Sequence, residues 1–347
     1  MTPTLRDIAS KAELSISTVS HILNGRPQHY SEKTRHKVER IARRLGYRPN
    51  RYAQVMRRQR SGLIGIIQHA GLLQAAVQKA NHAALAVVNA GYEPLNADVL
   101  WRPAGIQTVC ASMLDARVEG VLLVDAPASF PLEELTRFQR AKIPVVALGG
   151  GQYRGVPQVR VDARQGMRDL TRHVIALGHR PLCLLTTRCD PATLWPAVER
   201  AEGFREACAA AGLAEADAEI IAGGSPNEAM HPYQNGREAM RELLRRERLP
   251  RAVLCSNDDW AIGALAACAE RGIRVPEEVA VTGFDNSLIG EYCMVPLTTV
   301  AQPTALIARE AVAILMQLIA GEAVAPERLL VRVPGQLVVR RSCGAGK

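Results

Sequence analysis

A short helical segment near the start of the chain carries side chains that can read DNA bases. Its apolar residues Val19 and Ile22 recur at the spacing of one helical face. This spacing places Ile16, Ser17 and His21 on the opposite, exposed face. The hydroxyl and the imidazole can hydrogen-bond to base edges in the major groove, and the isoleucine can contact a thymine methyl. We therefore predict that these three residues read bases, although His21 could instead contact a phosphate or solvent.

Two further helices must hold this segment in place. Leu5, Ile8 and Ala9 have helical spacing ahead of it, and Ser31 begins a third helix that ends at Gly46. Two short helices joined by a few residues are typical of the helix-turn-helix motif, whose second helix enters the major groove. The residues predicted to contact the DNA backbone are Arg6, Ser15, Thr18, Ser20 and Asn24. Ser15 is also a candidate helix cap, and Thr18 could equally be a helix-packing residue.

The charge distribution supports DNA binding by this part of the chain. Residues 1–60 contain 14 lysine or arginine residues against 4 acidic residues, a net charge of +10. Because the whole chain carries +9, the other 287 residues together carry −1. Such a concentration of positive charge in a small domain is typical of phosphate-binding modules. A small solvated helical bundle or a protein-docking domain is the alternative that charge alone would permit.

Two stretches of this region, TLRDIASKAELSISTVSHILNG and SEKTRHKVERIARRLGYRPN, resemble the DNA-binding headpiece of the lactose/galactose repressor family. The resemblance continues to the C-terminal region and covers nearly the whole chain. It implies that a hinge helix enters the minor groove as a pair and inserts an apolar side chain. The residues assigned to this role are Asn50, Ala53 and Met56, with Met56 at the position of the family's usual leucine. A basic linker that does not enter the groove is the alternative.

From Gly62 onwards, apolar runs alternate with helical stretches. LIGII, VEGVLLV and IPVVALGG form one set of predicted strands, and GHRPLCLLTT begins a second set. Strands that alternate with helices at this spacing predict parallel sheets with right-handed crossovers. Neither a GxGxxG fingerprint nor a Walker loop is present, and the glycines at 149–151 are predicted to form a loop. The predicted fold class is α/β, with a small all-α helix-turn-helix headpiece and two doubly wound parallel-sheet lobes.

The predicted domains follow this division. They are a DNA-binding domain at residues 1–49, a hinge helix and linker at 50–61, and an effector-binding and dimerisation domain at 62–347. The family resemblance implies that the C-terminal region crosses between the lobes. The N-lobe then comprises about 62–161 plus 290–320, and the C-lobe about 162–289 plus 321–342. This architecture is that of periplasmic sugar-binding proteins, which hold their ligand in the cleft between the lobes.

Polar residues follow two apolar strands of the second set. Asn257 and Asp258 come after one strand and Asp285 after another, where ligands of open α/β lobes bind. The element ERAEGF resembles a family motif that places Arg200 in the cleft as a forked donor. An arginine, an amide and a carboxylate together suit a polyol or sugar. As alternatives, Arg200 and Asp285 could form an ion pair between the lobes, and Asp258 could cap the next helix.

Two tryptophans complete the predicted effector site. Trp195 and Trp260 could each stack on the face of a sugar, although Trp260 could equally fill the core. The first-lobe stretches QHAGLLQ and ALGGG depart from the patterns of the resembling family. The identity of the effector therefore cannot be transferred from that family.

These features predict a sequence-specific transcriptional regulator. We expect a homodimeric repressor that binds near-palindromic operator DNA and responds to a small-molecule effector, a sugar or sugar derivative. A solute-binding protein of the sugar-binding type without a regulatory role is the alternative. No nucleophilic triad or carboxylate pair has a supporting context, so no enzymatic activity is expected.

The remaining composition predicts neither a cofactor nor a metal site. Eight cysteines are scattered without CxxC or cysteine–histidine ligand spacing and are interpreted as reduced thiols. The chain contains no apolar run of membrane-spanning length, and MTPTLRDIAS has no apolar signal region. We therefore expect a cytoplasmic protein without a membrane partner.

Overall fold

A computed structural model describes residues 3–23, 29–47, 60–68, 74–99, 103–126, 129–187, 195–223 and 232–345. The chain divides into two compact units, Met1–Gly62 and Leu63–Lys347. No helix among these described residues is long and apolar enough to cross a membrane.

The smaller unit is a headpiece of three helices around one apolar core. The helices are α1 (Leu5–Ala12), α2 (Ile16–Leu23) and α3 (Glu32–Leu45). Ser31 caps α3 by accepting a hydrogen bond from the Thr34 backbone, and Gly46 ends α3 in the left-handed conformation, as the sequence predicts. The buried faces of the three helices meet at Ile8, Val19 and Val38, which are fully buried.

The larger unit alternates strands with helices along most of its length. In chain order its elements are β1 (Leu63–Gln68), α4 (Gln74–Asn89), β2 (Glu93–Asp98), α5 (Pro103–Asp115), β3 (Gly120–Val124), α6 (Leu132–Arg140), β4 (Val145–Leu148), β5 (Gln158–Asp162), α7 (Ala163–Ala176), β6 (Leu182–Thr187), α8 (Trp195–Ala210), β7 (Ala218–Gly223), α9 (Pro232–Leu243), β8 (Ala252–Cys255), α10 (Asp258–Glu270), β9 (Ala280–Thr282), α11 (Leu288–Tyr292), β10 (Thr299–Ala301), α12 (Thr304–Ile319), β11 (Leu330–Pro334) and β12 (Gln336–Val338).

These elements form two lobes, each built on a parallel sheet. The first lobe contains six strands in the order β11-β5-β4-β3-β1-β2, and the second contains four in the order β7-β6-β8-β9. All pairs within these two sheets are parallel. A separate antiparallel pair joins β10 and β12. The α/β class with two parallel-sheet lobes is therefore confirmed.

Helices cover both faces of each sheet, which explains why central strands such as β3, β4 and β8 are continuous apolar runs. In β1, Ile64 and Ile66 face one core, while Ile67 faces a second core on the opposite side. In β6, Leu184 faces the first of these cores, and Leu185 faces a third. The first core contains residues of both lobes, so one apolar layer continues across the lobe boundary.

The chain passes between the lobes three times in the described region, and this corrects the predicted lobe limits. It passes from β5 to α7, from β10 to α12 and from β11 to β12. Strand β11 was predicted in the C-lobe, but it pairs in parallel with β5 at the edge of the first sheet. Residues 290–303 were predicted in the N-lobe, but Thr298 bridges to Thr282 of the second sheet and β10 pairs with β12. Backbone pairing, which the apolar pattern does not reveal, decides both memberships.

Candidate functional site

The predicted recognition helix α2 has the expected orientation in the headpiece. Val19 and Ile22 are buried in the core, whereas Ser17 and His21 are exposed. Ile16 is 44 % exposed, although it is a large apolar side chain. A helix with this outer face can present two polar groups and one apolar group to the base edges of a major groove.

The start of α2 is fixed by a serine cap. The Ser15 hydroxyl accepts a hydrogen bond from the Thr18 backbone N–H at 3.0 Å and lies 2.9 Å from the Thr18 hydroxyl. Ser15 therefore acts as the cap, as the sequence predicts, and Ser17 remains exposed on the outer face. The Ser15 and Thr18 side chains thus organise the turn, and their contacts with DNA remain predictions.

His21 has a neighbour that sequence reasoning missed. Its Nδ1 lies 3.1 Å from the hydroxyl oxygen of Tyr30, and the two rings are tilted by 43°. Tyr30 precedes α3 and packs against the headpiece core. The contact joins two segments that are nine residues apart, so no local spacing pattern signals it.

The remaining predicted DNA contacts have different environments. Arg6 is exposed on the first turn of α1, where it is accessible to a phosphate. Ser20, also predicted to contact the DNA backbone, is instead 4 % exposed and lies within the buried face of α2. Asn24 and the hinge residues Asn50, Ala53 and Met56 lie outside the described residues.

In the larger unit, polar side chains of both lobes converge on one small cavity, which we call the effector cleft. The cleft has a volume of about 80 Å³. The residues that line it are Ala75, Lys79, Asp125, Gly149, Gly150, Arg160, Val161, Ala163, Pro196, Glu199, Arg200, Asp285 and Gln302. Several follow the carboxyl ends of parallel strands, where α/β proteins bind ligands.

Arg200 and Asp285, both predicted effector residues, lie in this cleft. Arg200 Nη2 is 3.3 Å from Asp285 Oδ1, and Nη1 donates to the Ser256 carbonyl at 2.6 Å. The guanidinium also lies over the Phe284 ring, 4.1 Å from its centroid. Gln302 donates to Asp285 Oδ1 at 2.5 Å. The pair belongs to one lobe, so it does not bridge the lobes as the alternative interpretation supposed.

The environment of Asp285 opposes its ionisation. Burial raises the pKa of this carboxyl to about 6, although Arg200, Lys79 and Gln302 favour the ionised form. The backbone φ of Asp285 is 132°, an unfavourable region for a residue with a side chain. A strained, buried carboxylate at a strand end is typical of a functional position.

Asn257 and Asp258 are close in sequence to the cleft but have structural partners. Asn257 caps α10 by accepting a hydrogen bond from the Trp260 backbone N–H at 2.8 Å. Asp258 is buried and accepts from the Ser287 backbone N–H and the Thr299 hydroxyl, both at 2.6 Å. Neither residue is among those that line the cleft. The capping role considered for Asp258 thus belongs to its neighbour Asn257.

The two tryptophans do not form a described stacking surface. Trp260 is 1 % exposed and packs in the core of the second lobe with Leu185, Met240 and Leu243. This is the core-filling interpretation of Trp260, and the predicted stacking on a sugar is therefore not supported. Trp195 is the first residue of α8, and its side chain lies outside the described part of the structure.

Sequence reasoning missed a buried ion pair on the first-lobe side of the cleft. Lys79 Nζ donates to both carboxylate oxygens of Asp125 at 2.8 Å. Gly149 lies against this pair, and a Cβ at that position would collide with the Asp125 carboxylate. Lys79 is the only acidic or basic residue besides a histidine in α4, and Asp125 directly follows the apolar strand GVLLV. These two facts were the available sequence signals.

A second missed cluster joins the two lobes beside the cleft. Glu199 of α8 lies 3.3 Å from Arg160 of β5 and 2.8 Å from Arg332 of β11. Arg160 is 3 % exposed, and none of its guanidinium nitrogens makes a hydrogen bond with a described residue. Burial lowers the pKa of Arg160, and Glu199 opposes this effect. Unsatisfied donors of this kind are available to a ligand that enters the cleft.

A further buried carboxylate connects the lobes. Asp259 of α10 is 3 % exposed, and burial raises its pKa to about 6. The backbone N–H of Gln74, at the start of α4 in the first lobe, and the Tyr233 side chain stabilise its ionised form. Asp259 therefore lies at the contact between the lobes.

The described residues contain no group of three or more histidine, cysteine or acidic side chains arranged to hold a metal ion. The seven cysteines that the structure describes are free, in agreement with their interpretation as reduced thiols.

These geometries define a class of protein with a helix-turn-helix headpiece and a two-lobed unit that carries a polar cleft. Residues 4–50 match the family described as bacterial regulatory proteins, lacI family, and residues 171–343 match the periplasmic binding protein-like domain. The chain is 33 % identical to the HTH-type transcriptional regulator CelR of Thermobifida fusca, with 98 % of each chain covered. It is 28 % identical to the HTH-type transcriptional repressor CytR of Escherichia coli K12, with 99 % of this chain and 96 % of the relative covered.

Solved structures agree with these relatives. A CelR–cellobiose complex has a TM-score of 0.69 at 30 % identity and covers 98 % of this chain and 99 % of that chain. The lac repressor dimer bound to operator and the anti-inducer ONPF has a TM-score of 0.81 at 26 % identity, with 99 % of each chain covered. The protein belongs to the LacI family of bacterial regulatory proteins and is a DNA-binding transcription regulator.

Proposed function

We propose that this regulator is a homodimeric repressor whose operator affinity is controlled by a neutral carbohydrate in the effector cleft. The observation that carries the effector class is the charge balance of the cleft. Each of the three cationic side chains among the described lining residues lies beside a carboxylate, in the pairs Lys79–Asp125, Arg160–Glu199 and Arg200–Asp285. These pairs leave no net charge among the described lining residues.

A balanced cleft favours an uncharged ligand. A phosphate or carboxylate would add net negative charge to a buried site whose described lining residues are balanced, at a high desolvation cost. A sugar hydroxyl instead donates to a carboxylate such as Asp285 and accepts from unsatisfied guanidinium nitrogens such as those of Arg160. The CelR relative, whose complex contains cellobiose, supports the same ligand class.

The size of the cleft indicates how a ligand would act. A volume of about 80 Å³ is far below the roughly 300–1,000 Å³ of typical ligand pockets, so a sugar enters only if the lobes move apart. The described part of the chain crosses between the lobes three times, and these crossings can act as the hinges for such a motion. Ligand-dependent lobe closure would then change the dimer interface and the hinge segment at 50–61, which holds the predicted minor-groove residues.

Exposed apolar side chains support self-association. Val77, Leu85 and Val88 are 40 to 58 % exposed on α4 of the first lobe. Tyr292 and Met294 of the second lobe are 75 and 96 % exposed. Apolar groups exposed on both lobes fit an interface that a second copy covers. A two-fold dimer would place two headpieces on the half-sites of a near-palindromic operator.

The proposal is tested by thermal unfolding of the purified protein against neutral sugars, their sugar acids and phosphates, and nucleosides. We expect a neutral saccharide to raise the midpoint as mass action requires, whereas its acid and phosphate do not. The same saccharide should change operator affinity, and by linkage operator DNA should change saccharide affinity by the same factor. Stabilisation by phosphates alone, or operator affinity that no cleft ligand alters, would contradict the proposal.

Arg200 provides a variant test of the cleft. We expect Arg200→Ala to lose the response to the saccharide while it still binds operator, because Arg200 lies in the cleft and not in the headpiece. Arg164→Ala is the matched control, since Arg164 is a half-exposed arginine on α7 that does not line the cleft. A normal response of the Arg200 variant at the same saccharide concentration would assign Arg200 a purely structural role.

A further inference from the structure

The contact between His21 and Tyr30 lies at the predicted DNA-reading surface. His21 is exposed on the outer face of α2, and the Tyr30 ring packs against the headpiece core. The Tyr30 hydroxyl oxygen is 3.1 Å from His21 Nδ1. A phenol anchored in the core therefore lies beside one nitrogen of an exposed imidazole.

This contact determines what the other nitrogen can do. A neutral imidazole has one N–H donor and one acceptor nitrogen. A phenolic O–H is a good donor, and an unprotonated ring nitrogen is a good acceptor, so the tautomer with an unprotonated Nδ1 lets Tyr30 donate to that nitrogen. The proton of the imidazole then lies on Nε2, which becomes a donor to a base edge. Guanine N7 and O6 are the acceptors that donor side chains most often contact in the major groove.

We propose that Tyr30 is a positioning residue for DNA recognition, which holds the His21 imidazole so that Nε2–H donates to a guanine in each half-site. This inference rests on the proposed function, namely that α2 reads operator bases. Tyr30 itself contacts no base. It acts by fixing the ring orientation and the tautomer of His21 before DNA binds, so that less side-chain freedom is lost in the complex.

The test is selection of binding sites from randomised duplexes by the full-length protein and its variants. We expect the wild-type protein to select guanine at one position of each half-site. Tyr30→Phe, which keeps the ring on the core and removes only the hydroxyl, should lose about fivefold to tenfold of the discrimination at that position, within the range of one specific base contact. Preferences at the other positions should stay unchanged.

Two backgrounds separate positioning from a general structural role. In a His21→Ala background, Tyr30→Phe should have no further effect on base preference, because the group that it positions is absent. In a His21→Lys background Tyr30→Phe should also have no effect, because the lysine ammonium is always a donor and has no tautomer for Tyr30 to fix. His36→Gln, on the exposed face of α3, is the control for loss of a headpiece histidine.

The outcomes are distinguishable. The positioning role is refuted if Tyr30→Phe discriminates between bases as well as the wild-type protein does. It is also refuted if Tyr30→Phe changes the base preference in the His21→Ala background. In both cases base reading by α2 stands. If the wild-type protein enriches no sequence at all, both the proposed function and the role of Tyr30 are refuted. If Tyr30→Phe alters preferences across the whole half-site and lowers the thermal midpoint, the hydroxyl is structural and the inference is wrong.

Discussion

The backbone N–H of Gln74, the first residue of α4 in the first lobe, stabilises the ionised form of the Asp259 carboxylate of the second lobe. The first N–H groups of a helix have no partner within the helix and carry partial positive charge. Asp259 therefore lies at the positively polarised start of a helix that belongs to the opposite lobe. Its carboxylate stabilises the contact, but burial makes the charge costly, and this conflict makes stability depend on pH.

The sign of this dependence follows from the pKa of Asp259, which burial raises from 3.8 to about 6. When the pKa of an acid is higher in the folded than in the unfolded chain, the acid takes up a proton on folding at pH values between the two pKa values. Its contribution to stability therefore falls as pH rises from about 4 to about 6. Asp259→Asn stays neutral and should be more stable than the wild-type protein at pH 7.5, by about 1–3 kcal/mol. The difference should vanish near pH 4.

Urea unfolding of both proteins at a series of pH values between 4 and 7.5 measures this difference. Asp115→Asn, at an exposed position at the end of α5, is the control for general loss of a carboxylate. A pH-independent difference between the wild-type protein and Asp259→Asn would show that Asp259 does not titrate in this range in the folded protein.

The buried pair Lys79–Asp125 leads to a prediction about stability. The side chains are 6 % and 16 % exposed, so removal of one partner leaves a buried charge unpaired. Lys79→Met should lower the free energy of unfolding by about 3–5 kcal/mol. The double variant Lys79→Met with Asp125→Leu should recover much of this loss, because it removes the second charge.

The exposed pair Arg246–Glu219 provides the comparison, since its side chains are 46 % and 45 % exposed. Arg246→Met should cost less than about 1 kcal/mol. Denaturant unfolding of the single and double variants gives the coupling between Lys79 and Asp125. A coupling no larger than that of the exposed pair would mean that the Lys79–Asp125 pair is solvated.

The central strands were predictable from the sequence because burial on both faces makes them apolar runs, whereas the edge strand β2, with the sequence EPLNAD, was not predicted. β1 and β3 are examples, and both were predicted from this signal. Lobe membership was not predictable in the same way. β11 is a short apolar strand whose pattern fits either lobe, and only its hydrogen bonds to β5 place it in the first sheet.

The candidate site was predictable only in part. Arg200 and Asp285 were found because a motif and a strand end mark them, and both line the cleft. Lys79 looks like an ordinary polar residue of an amphipathic helix, and its burial depends on a carboxylate 46 residues away. For Trp260 the sequence left stacking on a sugar and filling of the core as equal alternatives, and the structure places its ring in the core.

The shared carboxylate of Glu199 leads to a prediction about ligand selectivity. Glu199 lies between Arg160 and Arg332, and Glu199→Gln leaves these cations without their common partner. The cleft then gains one net positive charge, so anions should be accepted more readily. We expect the acid of the stabilising saccharide to raise the thermal midpoint of Glu199→Gln but not that of the wild-type protein.

Glu202→Gln is the matched control, since Glu202 lies on the same helix, is 43 % exposed and does not line the cleft. It should respond to the same ligands as the wild-type protein. An unchanged ligand preference of Glu199→Gln would mean that Glu199 acts only in the contact between the lobes and does not set the charge of the cleft.

The headpiece leads to a prediction that separates base reading from phosphate contact. Ser17 is exposed on α2 beside Ile16, whereas Arg6 is exposed on α1 outside the reading face. Ser17→Ala should change the preference at one base pair by about 1–3 kcal/mol and leave the salt dependence of binding unchanged. Arg6→Ala should weaken binding to all sequences alike and reduce the slope of log affinity against log salt by about one unit.

Titrations of a selected operator and of single-base variants at several salt concentrations measure both effects. If Arg6→Ala alters the preference at one base pair while the slope stays constant, its guanidinium reads a base, and the assignment of Arg6 to the DNA backbone is wrong.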